Sequence, residues 1–231
     1  MFNLLLIQAG QLAQKLPGKT VQPESINNHF FDLAVKGGWI MIPIILLSII
    51  AVYIFFDRYS AIKKASKIDT HFMDKVKSYI LSGKIDAALD LCRSHNNPAA
   101  RMIEKGISRI GRPLNDVNAA IENIGNLEIA KLEKGLPIIG SAAGGAPMLG
   151  FLGTVMGMVR AFWDMAQAGN NIDITLLSAG IYQAMITTVA GLIVGITAYF
   201  AHNILVSNIE KVIFKLEATT MEFMDLLNEP V

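Results

Sequence analysis

Residues 39–56, WIMIPIILLSIIAVYIFF, contain no charged side chain. A run of this length suits the roughly 20 residues that a helix needs to cross a hydrocarbon layer of about 30 Å. Unpaired backbone groups are not tolerated in lipid, so such a run has to be helical. Two more runs follow. Residues 136–163 carry one charge, Arg160, and residues 174–206 carry no acidic or basic side chain except His202. No stretch shows a convincing strand alternation. The expected fold class is an all-α membrane protein with three transmembrane helices. Trp39 at the start of the first run, and Tyr53 and Tyr59 near its end, suit the aromatic belt at a membrane surface.

The composition agrees: 52% of the residues are hydrophobic and 17% are charged, where soluble domains average about 25% charged. The formal net charge of +1 implies neither a strongly basic nor a strongly acidic partner. No basic patch interleaved with aromatics suggests nucleic acid. Cys92 is the one cysteine, so no internal disulfide can form. Cys92 and His95 have no second pair, and packing is the better reading than a metal site. The start, MFNLLLIQAG, lacks a basic leader and does not read as a cleaved signal peptide.

Lys and Arg set the orientation. Residues 57–135 hold 14 of the 20, including Arg58, Lys63, Lys64 and Lys67 just after the first run, while the loop DMAQAGNNID between the second and third runs has none. The positive-inside rule then gives N-out/C-in. The expected organisation is an outer segment 1–37, a first span 38–57, a cytoplasmic helical domain 58–134, a second span 135–163, an outer loop 164–173, a third span 174–206 and an inner helical tail 207–231. The long second and third helices are expected to extend into a cytoplasmic helical bundle. LNDVNAAIENIGNLEIAKLEKGL is expected to run without a break into the second span. Ser82-Gly83 and Asn96-Asn97-Pro98 read as helix stops. Ile26, Phe30, Phe31 and Leu33/Ala34 fall near one face, which suits a short amphipathic helix on the outer surface; a polar leader is the alternative.

Polar residues inside the spans are costly and often functional. On the third span Ala184, Thr188, Gly191 and Gly195 share a narrow face of small residues. On the second, Pro147, Gly150, Thr154 and Met158 do the same, with Gly153 and Gly157 beside them. Gly153/Gly157 and Gly191/Gly195 are both GxxxG pairs, which permit close helix approach. Thr154 and Thr188 can line a polar path, or simply bond their own i−4 carbonyls. Gln183 is expected to line the same path as Thr154 and Thr188, and its amide needs partners, which outside water or another subunit could provide. Arg160 and Asp164, four apart, read as an outer-interface ion pair with an exit vestibule as the alternative. Asp57-Arg58 reads as an inner-interface pair beside Tyr59. No general acid–base pair and no Ser/His/Asp set is suggested, so no enzyme is expected, with no catalytic residue and no cofactor. GSAAGGAPMLG lacks the Gly-Lys-Ser/Thr of a phosphate loop and reads as close packing. A proton path normally needs one titrating group near mid-membrane, and the spans supply hydroxyls but no buried carboxylate.

APMLGFLGTVMGM with Ala161-Phe162, and AGI.QAM..TVAGL over residues 179–192, resemble the two membrane hallmarks of the ExbB/TolQ/MotA family of ion-driven motor subunits, most like ExbB. ALDLCRSHNNPAARMIEKGI resembles the cytoplasmic part of ExbB-type chains. The likeness covers roughly residues 35–215. It implies a multi-pass subunit of the inner membrane of a Gram-negative bacterium. It also implies a homopentamer enclosing two copies of an ExbD-like single-span protein whose aspartate titrates, acting on a TonB-like protein for outer-membrane transport. Thr154 and Thr188 match the family's pore-lining threonines, and Pro147 and Gly150 its kink and close-packing positions. Two positions depart from the pattern: Gln183 stands where many relatives have glutamate, and Thr197 where many have proline. A TolQ-like unit, a gliding or flagellar stator, and a passive scaffold are the alternatives.

Overall fold

A computed structural model describes residues 37–67, 71–167 and 174–228. The expected amphipathic stretch near residues 26–34 and most of the loop 164–173 lie outside the described residues. Among the described residues all regular structure is helical: α1 (Met41–Ala65), α2 (Phe72–Leu81), α3 (Ile85–Ser94), α4 (Pro98–Ile107), α5 (Leu114–Glu133), α6 (Leu136–Gln167) and α7 (Ile174–Asn228). Three helical stretches are long and apolar enough to cross a membrane, and they carry the three apolar runs. The fold is thus all-α with three such helices.

α7 has 55 residues, about 83 Å of helix, which is far more than a bilayer core requires. Its second half has a different pattern from its first. Leu205, Ile209, Val212, Leu216, Thr219, Phe223 and Leu226 are all buried, at alternating steps of four and three. That seam faces the bundle formed by α2 to α5. Phe72, Val76, Ala88, Cys92, Ile103, Ile107, Val117 and Ile121 belong to the same core. Gly106 makes room at its centre: a Cβ there would lie 2.6 Å from the Phe223 ring and 2.8 Å from Ile121 Cδ1.

The helix ends follow local chemistry. Gly83, with φ of 72°, follows α2. The Asn97 side chain caps α4 by accepting from the Ala100 N–H at 2.7 Å, with Pro98 in the first turn, where a missing N–H is harmless. Of the two expected stops, Ser82-Gly83 therefore ends α2, and Asn96-Asn97-Pro98 separates the end of α3 at Ser94 from the start of α4.

One expectation is corrected. α5 does not run unbroken into α6, because Gly135 adopts φ of 90° and Lys134 leaves the helical region with ψ of 124°. Only glycine takes such a φ at little cost. Pro137 then sits in the first turn of α6, where it is tolerated. The break deprives the Lys131 carbonyl of the N–H four residues on. Arg58 of α1 fills that gap: its guanidinium donates to the Lys131 oxygen at 3.1 Å and to Asp57 at 2.9 Å. Ile54 of the same helix packs 2.9 Å from where a Gly135 Cβ would be.

α6 runs antiparallel to α7, with Gly157 against Gly180 at one end of the seam and Pro147 against Gly195 at the other. α1 runs parallel to α7. Gly38, just before α1, meets Gln183, and Lys215 donates to the Ser66 carbonyl at 3.2 Å and to its hydroxyl at 3.1 Å.

Candidate functional site

The α6–α7 seam is made of small residues, and backbone touches backbone along it. A Cβ on Gly191 would lie 2.5 Å from the Ala146 carbonyl oxygen, and one on Gly150 would lie 2.8 Å from the Thr187 carbonyl oxygen. Gly157 abuts Ala184, and Gly180 abuts Ala161. Both GxxxG pairs therefore lie in this seam but do not meet each other: Gly153 and Gly157 pack on Thr187, Ala184 and Gly180, and Gly191 and Gly195 pack on Ala146, Gly150 and Pro147. Pro147 lies inside α6 and its ring packs on Gly195. Lacking an N–H, it leaves the Ala143 carbonyl without its helical donor. That oxygen points to α7, 3.0 Å from where a Gly195 Cβ would be.

At the middle of this seam three hydroxyls converge on one carbonyl. Thr188 donates to the Gly150 oxygen at 3.0 Å and Thr154 reaches the same oxygen at 3.2 Å. The Thr154 and Thr188 hydroxyls also bond each other, and either can donate. Each has one proton and two acceptors, so the pair has two equivalent arrangements that exchange donor and acceptor. Both side chains are half-buried. The third hydroxyl belongs to Thr187. It is buried, donating to the Ala184 carbonyl at 2.7 Å and standing 3.4 Å from the Gly150 oxygen, with Gly153 packed on it. The adjacent Thr187-Thr188 pair was its only signal, since consecutive residues on a helix face different neighbours.

Gln183 is not brought to this pair. Five residues separate it from Thr188, which turns it about 140° around the helix. Its amide lies on Gly38, whose φ of 73° and missing Cβ make the space. Gln183 therefore faces the start of α1 in its own chain.

Arg160 and Asp164 stand 3.9 Å apart with side chains 76% and 47% exposed. Such a pair contributes little in water. Asp57 and Arg58 form their pair, and Arg58 also ties α1 to the end of α5 as described above.

Among the described residues, the ionisable group with the strongest network lies in the helical bundle. Glu128 of α5 has a side chain 5% exposed and receives Arg101 and, at 2.7 Å, Lys131. Burial works to raise its pKa, but the hydrogen bonds from Arg101 and Lys131, with their charges, outweigh it and hold the carboxyl below its usual range. No local pattern signals this network, because Arg101 and Glu128 lie 27 residues apart. The Cys92 thiol is pushed up to about 12, by burial first and by Glu104 second. His95 turns its Nδ1 to the Leu91 carbonyl at 3.0 Å and lays its ring on Phe72, so both residues serve packing.

Residues 94–218, more than half of the chain, match the family described as "MotA/TolQ/ExbB proton channel family". The chain belongs to this family. It is 28% identical over 176 residues to a putative biopolymer transport protein ExbB homolog of Methanothermobacter thermautotrophicus, covering 74% of this chain and 62% of that one. A putative biopolymer transport protein ExbB-like 1 of Synechocystis is 28% identical over 192 residues, or 78% of this chain and 71% of the relative. The Tol-Pal system protein TolQ of Pseudomonas aeruginosa is 24% identical over 227 residues, 91% of this chain and 98% of that protein. The chain thus spans less than two thirds of the first relative named. Family and helices together make it a multi-pass membrane protein of a proton-channel family, which is not a family of enzymes.

Proposed function

We propose that this chain is a subunit of a proton-driven motor in the inner membrane of a Gram-negative bacterium. In this reading α1, α6 and α7 cross with the N-terminus outside and the α2–α5 bundle in the cytoplasm. Several copies, five by family resemblance, surround an ExbD-like single-span partner present in two copies. The partner's carboxylate takes up and releases the proton. Thr154 and Thr188 carry it past mid-membrane by exchanging donor and acceptor roles, and the resulting motion passes to a TonB-like protein for outer-membrane transport. The membrane potential supplies about 2.3 kcal/mol per charge per 100 mV.

The observation that carries this reading is the Thr154–Thr188 hydroxyl pair on the Gly150 carbonyl, held between two spans that offer no carboxylate of their own at that depth. Gln183 cannot titrate, and its place on Gly38 suits a role in seating α1. Arg160 and Asp164 sit at the outer end, and Asp57 and Arg58 at the inner end. A TolQ-like client is the second reading, favoured by the near full-length match to a TolQ protein.

Thr188→Val removes the hydroxyl and keeps the bulk. A hydrogen bond to a charged carrier contributes about 1.5–3 kcal/mol, so proton flux through proteoliposomes of the chain with its co-purified partner should fall about ten- to a hundredfold. Assembly should be unchanged. Wild-type flux in the variant would reduce the threonine pair to packing.

A further inference from the structure

We infer that the seam between α1 and α7 is a binding site for one anionic phospholipid. Two cavities lie end to end along it. The first is a groove of about 410 Å³ whose lining includes Ala51, Val52, Phe55, Ile193, Thr197 and Ile204. Its walls are nearly all hydrocarbon, and Thr197 turns its hydroxyl to the Ile193 carbonyl of its own helix. The groove follows α1 from Ser48 to Phe56, about 12 Å, which lies within one leaflet's share of the hydrocarbon.

The second cavity, of about 310 Å³, continues toward the helical bundle and is lined by Tyr59, Ile62, Lys63, Ser66, Lys67, Asn208 and Lys211. Lys63 and Lys211 are each seven residues beyond a lining residue of the groove, Phe56 and Ile204, a rise of about 10 Å. No acidic residue lines this cavity, and among the described residues no ion pair engages Lys63, Lys67 or Lys211. Lys215, bonded to Ser66, adds a fourth cation at its edge.

An apolar slot at membrane depth that opens into three uncompensated ammonium groups has the shape and charge order of a lipid. The acyl chains lie against Val52, Phe55 and Thr197. The phosphate sits among Lys63, Lys67 and Lys211, with the hydroxyls of Tyr59 and Ser66 and the amide of Asn208 within the same cavity. A helix from a second copy could fill the apolar groove but would leave the lysines without a counter-charge. A zwitterionic lipid would bring its own cation against them. The inference needs only that α1 and α7 cross the membrane, and it does not depend on the threonine pair.

Native mass spectrometry of the full-length chain, in detergent, tests it. The probes are phosphatidylglycerol and phosphatidylcholine carrying the same palmitoyl and oleoyl chains. Wild-type protein should retain phosphatidylglycerol at least about tenfold better. The combined Lys63→Gln, Lys67→Gln and Lys211→Gln variant should lose that preference. Val52→Trp, which fills the groove from its exposed side, should lose retained lipid with the oligomer unchanged. Equal retention of the two lipids by wild type, or an undiminished preference in the lysine variant, would overturn the site. So would a Val52→Trp protein that keeps its lipid preference but loses its oligomer, because a neighbouring copy would then occupy the groove.

Discussion

At the scale of single residues, the chain separates polar groups that pack from polar groups free to change partners. Thr187 and Gln183 are committed: one donates within its own helix and is closed over by Gly153, and the other rests on Gly38. Thr154 and Thr188 are half-buried and share two interchangeable hydrogen-bond patterns. Glu128 is a different case, an ionised carboxylate whose partners outweigh its burial. Because its folded pKa is depressed, its contribution is present above the usual carboxylate range and is lost as pH falls through the folded value. Glu128→Gln should therefore cost about 1–3 kcal/mol near neutrality, read as a thermal-unfolding midpoint lower by several degrees. The gap between variant and wild type should close only as pH falls below the usual carboxylate range and through the depressed folded value, where the wild-type carboxyl takes up its proton. A pH-independent gap would show that shape rather than charge holds the site. Thr154 and Thr188 were legible through their place in two family hallmarks. Glu128 was not, since its partner Arg101 comes from another helix and only the fold joins them.

At the scale of elements, the closest contacts are made where side chains are absent. α6 and α7 touch through Gly150, Gly157, Gly180 and Gly191, and the nearest atoms are largely backbone. Gly191→Leu should therefore separate the two helices and lower thermal stability sharply, because the Ala146 carbonyl cannot yield as a flexible side chain could. Gly144→Leu is the control: nothing lies within 4 Å of its Cβ position, so the protomer should keep wild-type stability. Equal behaviour of the two variants would mean that the seam is misplaced. The three apolar runs and the amphipathic tail were readable because length and period report helices directly. The break between α5 and α6 was also written in the chain, as Lys134-Gly135-Leu136-Pro137, a basic residue, a glycine and then a proline, as at many helix ends. The continuous polar-to-apolar helix pattern hid it. Which residues the small faces would meet could not be read, since a GxxxG pair suits a helix of a partner chain as well as one of its own.

At the scale of the molecule, one 55-residue helix links a membrane half to a helical bundle. Its first half packs by glycine and its second by a heptad seam of large side chains. Arg58 and the Gly135 break lock α1 to the base of α6, where the bundle meets the spans. Such a rigid connection suits a protein that holds a fixed ring around a moving partner. The two apolar stretches of α6 and α7 offer hydroxyls and no carboxylate of their own, so the proposed proton path requires a second polypeptide to supply one. Native mass spectrometry of the tagged protein, extracted gently from its own membranes, tests that requirement most directly. The expected result is a ring of several copies, about five by family resemblance, carrying a small single-span protein with an aspartate in its span. A bare monomer or dimer with no such partner would contradict it.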